Sequence, residues 1–84
     1  MEQKGKYMIV QMITKNGTSA HNAIMVGSVS DEYDWIEQNY PDCIVVRQRL
    51  TSIEGMPFDI LTLWSANGDE QDVYFDISGF FRLL

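Results

Sequence analysis

The side chains considered first as a nucleophile and its general base are Ser19, His21 and Cys43. His21 is the only histidine, and Cys43 is the only cysteine and lies far from it in the sequence. A working nucleophile also needs a third group that orients the base and a site that holds the oxyanion. No spacing here indicates those parts. We therefore predict a polar loop residue at His21, a small buried residue at Cys43 and a protein that is not an enzyme.

The same scarcity argues against a bound metal or cofactor. One histidine and one cysteine cannot supply the ligands of the usual zinc sites. The acidic segment at residues 67–72 does not have the ligand spacing of a calcium-binding loop, and the sequence contains no glycine-rich phosphate-binding loop. We predict no metal site and no cofactor.

Acidic residues outnumber basic residues by twelve to six, and the formal net charge is −6. Because proteins bind nucleic acids largely through Lys and Arg on phosphates, this balance argues against direct nucleic-acid binding. The plain explanation for the acids is a solvated surface and a helix N-terminus that favours carboxylates. The alternative is an acidic inhibitor that resembles DNA and occupies the basic nucleic-acid-binding groove of a partner. Its candidate acidic surface consists of Asp31, Glu32, Asp34 and Glu37.

Length and composition indicate one domain, residues 1–84, with a modest core. Hydrophobic residues make up 45% of the chain, which excludes a disordered protein, and a single cysteine excludes an internal disulfide. The apolar run at residues 7–13 is too short for a signal peptide or a membrane span. We therefore expect a cytoplasmic protein that does not bind membranes.

Hydrophobic patterning predicts elements in the order β-β-α-β-β-β. The first strand is expected at residues 6–14, the second at residues 22–26 and the third at Cys43–Ile53. The turn at residues 54–57 then leads into the last two strands. Since most connections are short, an antiparallel sheet of about five strands with the helix on one face is favoured, which is an α+β fold. Residues 80–84 predict a short C-terminal helical turn.

The helix has clear start and stop signals. Ser28 or Ser30 can cap its N-terminus, and Ser28 with Asp31 fits a capping box. Pro41 ends the helix after Tyr40, because the residue before a proline disfavours the helical conformation. Its predicted buried stripe consists of Val29, Tyr33, Ile36 and Tyr40.

Asn67 and Gly68 lie between two alternating apolar segments, which is a strong signal for a β-hairpin. Two registers remain open. A two-residue loop places Asp59 opposite Asp76, whereas a four-residue loop places Asp76 opposite Leu61. Since directly opposed like charges are destabilising, we expect the second register unless an arginine neutralises the acids.

If the helix covers one face of this sheet, the other face combines arginines with apolar and aromatic side chains. The candidate interaction residues are Arg47, Arg49, Leu61, Leu63 and Tyr74. Such a mixture is typical of protein contact surfaces. The sequence thus predicts a small acidic interaction module that binds a protein partner, or a second copy of itself, through its open sheet face. The remaining alternative is that the C-terminal segment folds over that face and completes a second small core.

Overall fold

The computed structural model of the chain describes residues 15–83, which form one helix and one four-stranded sheet. The elements are β1 (Ile24–Met25), α1 (Val29–Asn39), β2 (Cys43–Ile53), β3 (Met56–Ser65) and β4 (Glu70–Asp76), followed by a 3-10 turn at Phe81–Leu83. The fold is therefore α+β. No helix in this part of the chain is long and apolar enough to cross a bilayer.

The strands lie in the order β1-β4-β3-β2. The pairs β2–β3 and β3–β4 are antiparallel, but β1 runs parallel to β4. The sheet is thus mixed, and the prediction of a fully antiparallel sheet is wrong. Short connections constrain consecutive strands, whereas β1 pairs with a strand that comes much later in the chain. The predicted first strand at residues 6–14 lies outside the described residues.

Helix α1 begins where its sequence signals predict and ends one residue before the predicted position. The Ser28 hydroxyl accepts a hydrogen bond from the Asp31 N–H at 3.1 Å, and the Asp31 carboxylate accepts one from the Gly27 N–H at 3.2 Å. At the other end, the Tyr40 N–H donates to the Ile36 carbonyl. Ser28 is therefore the cap of the N-terminus, and the helix stops at Asn39, before Pro41.

The buried side of α1 is rotated relative to the predicted stripe. Ile36 is buried as predicted, but Val29 and Tyr33 are exposed. Their place is taken by Trp35, which packs against the core, and by Glu32, which is fully buried. The pattern of apolar residues could not reveal this rotation because a carboxyl group occupies the centre of the buried stripe.

A two-residue turn joins β2 to β3. Glu54 and Gly55 have φ angles of 52° and 82°, and Ile53 pairs with Met56 across the turn. Positive φ at both central positions is the mark of a type I′ turn, whose twist matches that of the flanking strands. This tight hairpin therefore forms at Glu54 and Gly55, although the sequence signal for it was strongest at Asn67 and Gly68.

A three-residue loop, residues 66–68, joins β3 to β4. Gly68 has a φ of 89°, and its N–H donates to the Ser65 carbonyl at 3.0 Å. One residue with positive φ at the third loop position is typical of three-residue hairpin loops. In the resulting register Leu61 lies opposite Val73 and Asp76 lies opposite Phe58, so both predicted registers are wrong.

This loop length decides which side chains face the helix, because a shift of one residue turns every side chain of a strand to the other face. Leu61 and Phe75 lie on the face covered by α1, and Ile60 and Phe58 lie on the opposite face. The core cluster consists of Ile36, Leu61, Leu63, Val73, Phe75, Ile77 and Phe80. Phe80 thus joins the core, whereas Phe81 in the C-terminal turn remains partly exposed.

Replacing Glu54 with asparagine should stabilise the protein by several tenths of a kcal/mol, up to about 1 kcal/mol, because asparagine tolerates positive φ better than glutamate. Urea unfolding measures this difference. The control is Glu54→Ala, which removes the same charge without easing the backbone and should give no gain. Equal stabilisation by both changes would contradict the turn assignment and indicate a charge effect.

Candidate interaction surface

The face of the sheet that α1 does not cover, called the outer face below, is built from rows of residues that lie opposite one another across β2, β3 and β4. Three of these rows are Ile44–Trp64–Glu70, Arg47–Thr62–Asp72 and Arg49–Ile60–Tyr74. Arg47, Arg49 and Tyr74 therefore lie on one face, where the sequence placed them. Their role in binding stays a prediction.

Leu61 and Leu63 do not belong to this face. Both are fully buried in the core between the sheet and α1, so their predicted position on the open face is wrong. The cause is the three-residue loop, which pairs Leu61 with Val73 rather than with an outward-facing residue of β4. Leu61 and Leu63 are therefore removed from the candidate surface.

Two arginines extend across the outer face. Arg49 Nη2 lies 2.8 Å from Asp72 Oδ2, and Arg47 Nη2 lies 3.8 Å from Glu70 Oε1. Because both acids are on β4 and both arginines are on β2, the aliphatic stems must cross β3, which separates the two strands. This crossing accounts for the burial of Ile60 on the face that α1 does not cover.

A hydrogen bond between side chains of β3 and β4 lies in the middle of the outer face. The hydroxyl of Thr62, which is buried, donates to Asp72 Oδ1 at 2.6 Å. Asp72 thus accepts from Thr62 through one oxygen and from Arg49 through the other. Exposed ion pairs contribute little free energy on their own, but this pair holds the arginine stem in place over β3.

A β-bulge at Val46 changes the alternation of β2. Residues 43–45 pair with β3 in one register and Arg47 onward in another, so that Ile44 lies on the outer face together with the arginines. Simple alternation along an unbulged strand would place Ile44 on the same face as Leu50, and the bulge prevents this. No composition signal marks the bulge.

The bulge creates an apolar patch at one end of the outer face, defined here as Ile44, Val46 and Trp64. Their side chains are 60%, 44% and 48% exposed. Ile44 and Trp64 are direct cross-strand neighbours and line a shallow depression of about 400 Å³ together with Ala66 and Gly68. Such a cluster of exposed apolar side chains is typical of an interaction site.

The four helix acids predicted to form an acidic surface divide into two kinds. Asp31, Asp34 and Glu37 are exposed. Glu32 is 0% exposed and lies against Asp59 of β3, which is 2% exposed. The placement of Glu32 on the surface is therefore wrong, and the structure instead shows a buried pair of carboxyl groups between the helix and the sheet.

The two carboxyl groups interact across the interface between helix and sheet, and a hydrogen bond between them requires a proton on one of them. Among the described residues, no donor reaches either oxygen of Glu32 or Oδ1 of Asp59. Asp59 Oδ2 accepts from Gln48 Nε2 at 2.7 Å, and Gln48 Oε1 accepts from the Tyr33 hydroxyl at 3.3 Å. Asp59 thus already has a donor for one oxygen, which makes Glu32 the member that keeps the proton.

Burial raises the pKa of Glu32 to about 9, and the hydrogen bond and the negative charge of Asp59 act in the same direction. Burial also raises the pKa of the Tyr33 hydroxyl, with further contributions from Glu32 and Asp59. Both groups are therefore protonated near neutral pH. Because Glu32 is a neutral carboxylic acid, the interface between helix and sheet does not oppose two negative charges.

The structure does not bring Cys43 and His21 together. His21 is exposed in the loop before β1, at one edge of the sheet, while Cys43 opens β2 at the other edge and packs against the core. Within residues 15–83, no group of three His, Cys, Asp or Glu side chains converges to hold a metal ion.

Replacing Glu32 with glutamine should stabilise the protein at pH 8, because glutamine donates to Asp59 without needing a proton. Glu32 has its ordinary pKa of 4.5 in the unfolded chain and a raised value in the folded one. Its stabilising contribution is therefore complete below about pH 4.5 and is lost as the pH rises towards 9, at a slope of up to about 1.4 kcal/mol per pH unit.

Urea unfolding at several pH values between 5 and 9 measures this effect. The advantage of the Glu32→Gln variant should shrink steadily as the pH falls. Glu37→Gln is the control, since Glu37 is an exposed residue of the same helix. Stability curves for the wild type and the Glu32→Gln variant that stay parallel across this range would contradict a shared proton at Glu32.

Comparisons of this chain with protein-family models, with curated proteins and with solved structures find no match. Its function is therefore inferred from the chemistry and geometry of its own residues.

Proposed function

We propose that this chain is a small, non-enzymatic protein-interaction module that binds a protein partner through the outer face of its sheet. The observation that carries this proposal is the apolar patch of Ile44, Val46 and Trp64. Each of these side chains is at least 44% exposed. Burial of apolar surface contributes roughly 25 cal/mol per Å², so these three side chains can supply the core of a contact.

The surroundings of the patch suit such a contact. Arg47 and Arg49 of β2 lie beside it on the same face, and Tyr74 lies on this face on β4. Arginine, tyrosine and tryptophan are the residues most enriched where binding energy concentrates in protein interfaces. In this proposal Trp64 is the anchor, and the arginines form the polar rim.

Replacing Trp64 with serine should abolish partner binding and leave the fold intact, because the side chain is half exposed in the free protein. The experiment compares the proteins captured from a lysate by the immobilised wild type, by Trp64→Ser and by Ile44→Ser. Met25→Ser is the matched control, since Met25 is an exposed apolar residue on β1, at the other edge of the sheet. Circular dichroism verifies that each variant is folded.

The expected result is a set of proteins that the wild type and Met25→Ser retain and that both patch variants lose. Capture of the same set by all four proteins would overturn the proposal, because binding would then not depend on the patch.

A second candidate is an acidic inhibitor that occupies a basic nucleic-acid-binding groove. It is supported by the exposure of Asp31, Asp34 and Glu37 along one helix. Binding of that kind weakens steeply as salt rises, whereas binding through an apolar patch does not. Captured proteins that elute at about 0.5 M salt, and that the Asp34→Asn, Glu37→Gln double variant no longer binds, would favour the inhibitor over the patch.

A further inference from the structure

The outer edge of β2 offers hydrogen-bonding groups that no other strand takes up within residues 15–83. Ile53 and Met56 close a two-residue turn, so their backbones are hydrogen-bonded to each other. In an antiparallel pair of strands, hydrogen-bonded and non-hydrogen-bonded residue pairs alternate along the strand. The backbone N–H and C=O groups that point away from β3 are therefore those of Gln48, Leu50 and Ser52.

We infer that two copies of this chain pair through this edge, with their β2 strands antiparallel about a two-fold axis at Leu50. The regular part of β2 runs from Arg47, directly after the bulge, to Ile53, and Leu50 is its midpoint. The three outward-pointing residues are symmetric about the same point. Leu50 then lies opposite Leu50 of the second copy, and Gln48 lies opposite Ser52, with about six backbone hydrogen bonds between the strands.

The side chains fit this register. Leu50 is 58% exposed, and its pairing with itself buries apolar surface at the axis. Arg49 lies opposite Thr51 of the second copy and Arg47 lies opposite Ile53, so that no two like charges face each other. A register centred on Gln48 would instead oppose Arg47 to Arg49.

Charge also favours this edge as the meeting point of two acidic molecules. The chain has a formal net charge of −6, yet β2 contains two arginines and no acidic residue. Two copies that meet at β2 keep their acidic residues apart, and a two-fold axis through the acid-rich helix would do the opposite. An exposed strand edge is a ready template for such pairing.

A contact of one strand and its flanking side chains is smaller than the standard interface of about 1,600 Å², so the dimer should dissociate on dilution. It uses Leu50 and the backbone beside it, not the apolar patch. A dimer formed in this way and a partner bound at the patch are therefore separable in experiment.

Cross-linking through an introduced cysteine tests the register directly. In a Cys43→Ser background, Leu50→Cys should form an intermolecular disulfide under mild oxidation, since opposed residues in a hydrogen-bonded pair have Cα atoms about 5.5 Å apart, within disulfide range. Ile44→Cys in the same background is the matched control, because Ile44 is equally exposed on the same strand but distant from its own copy in this register. Equal cross-linking of the two variants, or preferential cross-linking at Ile44, would overturn the inference.

The unmodified protein provides the second measurement. Light scattering over a dilution series up to about 1 mM should show a monomer that converts to a dimer, with the amides of Gln48, Leu50 and Ser52 exchanging more slowly as the dimer forms. Leu50→Lys, which opposes two lysines at the axis, should stay monomeric at every concentration and still bind whatever the apolar patch captures.

Two results would overturn the inference in this measurement. One is a wild-type monomer at the highest concentration. The other is slow exchange of those three amides in the monomer, which would mean that the chain itself covers the edge. If Trp64→Ser loses the captured partners but still dimerises, and Leu50→Lys keeps the partners but stays monomeric, the patch and the β2 edge are independent binding surfaces.

Discussion

The pairing of β3 with β4 determines most of what this protein presents to its surroundings. Three loop residues with one positive φ at Gly68 bring Leu61 opposite Val73, and this pairing places the apolar halves of both strands on the side of α1. A loop one residue shorter would have turned Phe75 and Val73 away from the helix. The composition of the outer face, with its arginines and Trp64, follows from the same constraint.

β3 is buried on both of its faces although α1 covers only one of them. On the helix side, Asp59 is accommodated by Gln48 and by the protonated Glu32. On the other side, Thr62 is accommodated by Asp72, beneath the stem of Arg49. Asp59 Oδ2 and the Thr62 hydroxyl are therefore each matched to a neighbouring side chain, which lowers the cost of carrying polar residues on a central strand.

Local signals in the sequence predicted local structure well. Ser28 and Pro41 set the limits of α1, and β2 has the predicted bounds of Cys43–Ile53. Which side chains lie on each face of the sheet could not be predicted, because this depends on the length of the loop before β4 and on the bulge at Val46. A change of one residue at either place reverses the faces, and no residue type in the sequence marks either feature. A turn was predicted at residues 54–57, but its two-residue type I′ form at Glu54 and Gly55 was not, because glutamate rarely adopts positive φ.

For the candidate surface, the positions of Arg47, Arg49 and Tyr74 on one face were predictable, and those of Leu61 and Leu63 were not. The buried pair left a weak trace in the sequence: Asp59 interrupts an apolar strand, and Glu32 lies one helical turn before Ile36. Either residue alone has an ordinary explanation at a surface. Only their contact across the interface between helix and sheet shows that they are connected.

The proton on Glu32 makes folding of this protein a proton-uptake reaction at neutral pH. The unfolded chain releases that proton, since its glutamates have ordinary acidity, and the folded chain holds it. The native molecule is then one unit less negative than its formal charge. The heat of unfolding measured near pH 7 accordingly includes the heat with which the buffer takes up a proton, so phosphate and Tris solutions will report different enthalpies for the same structural change.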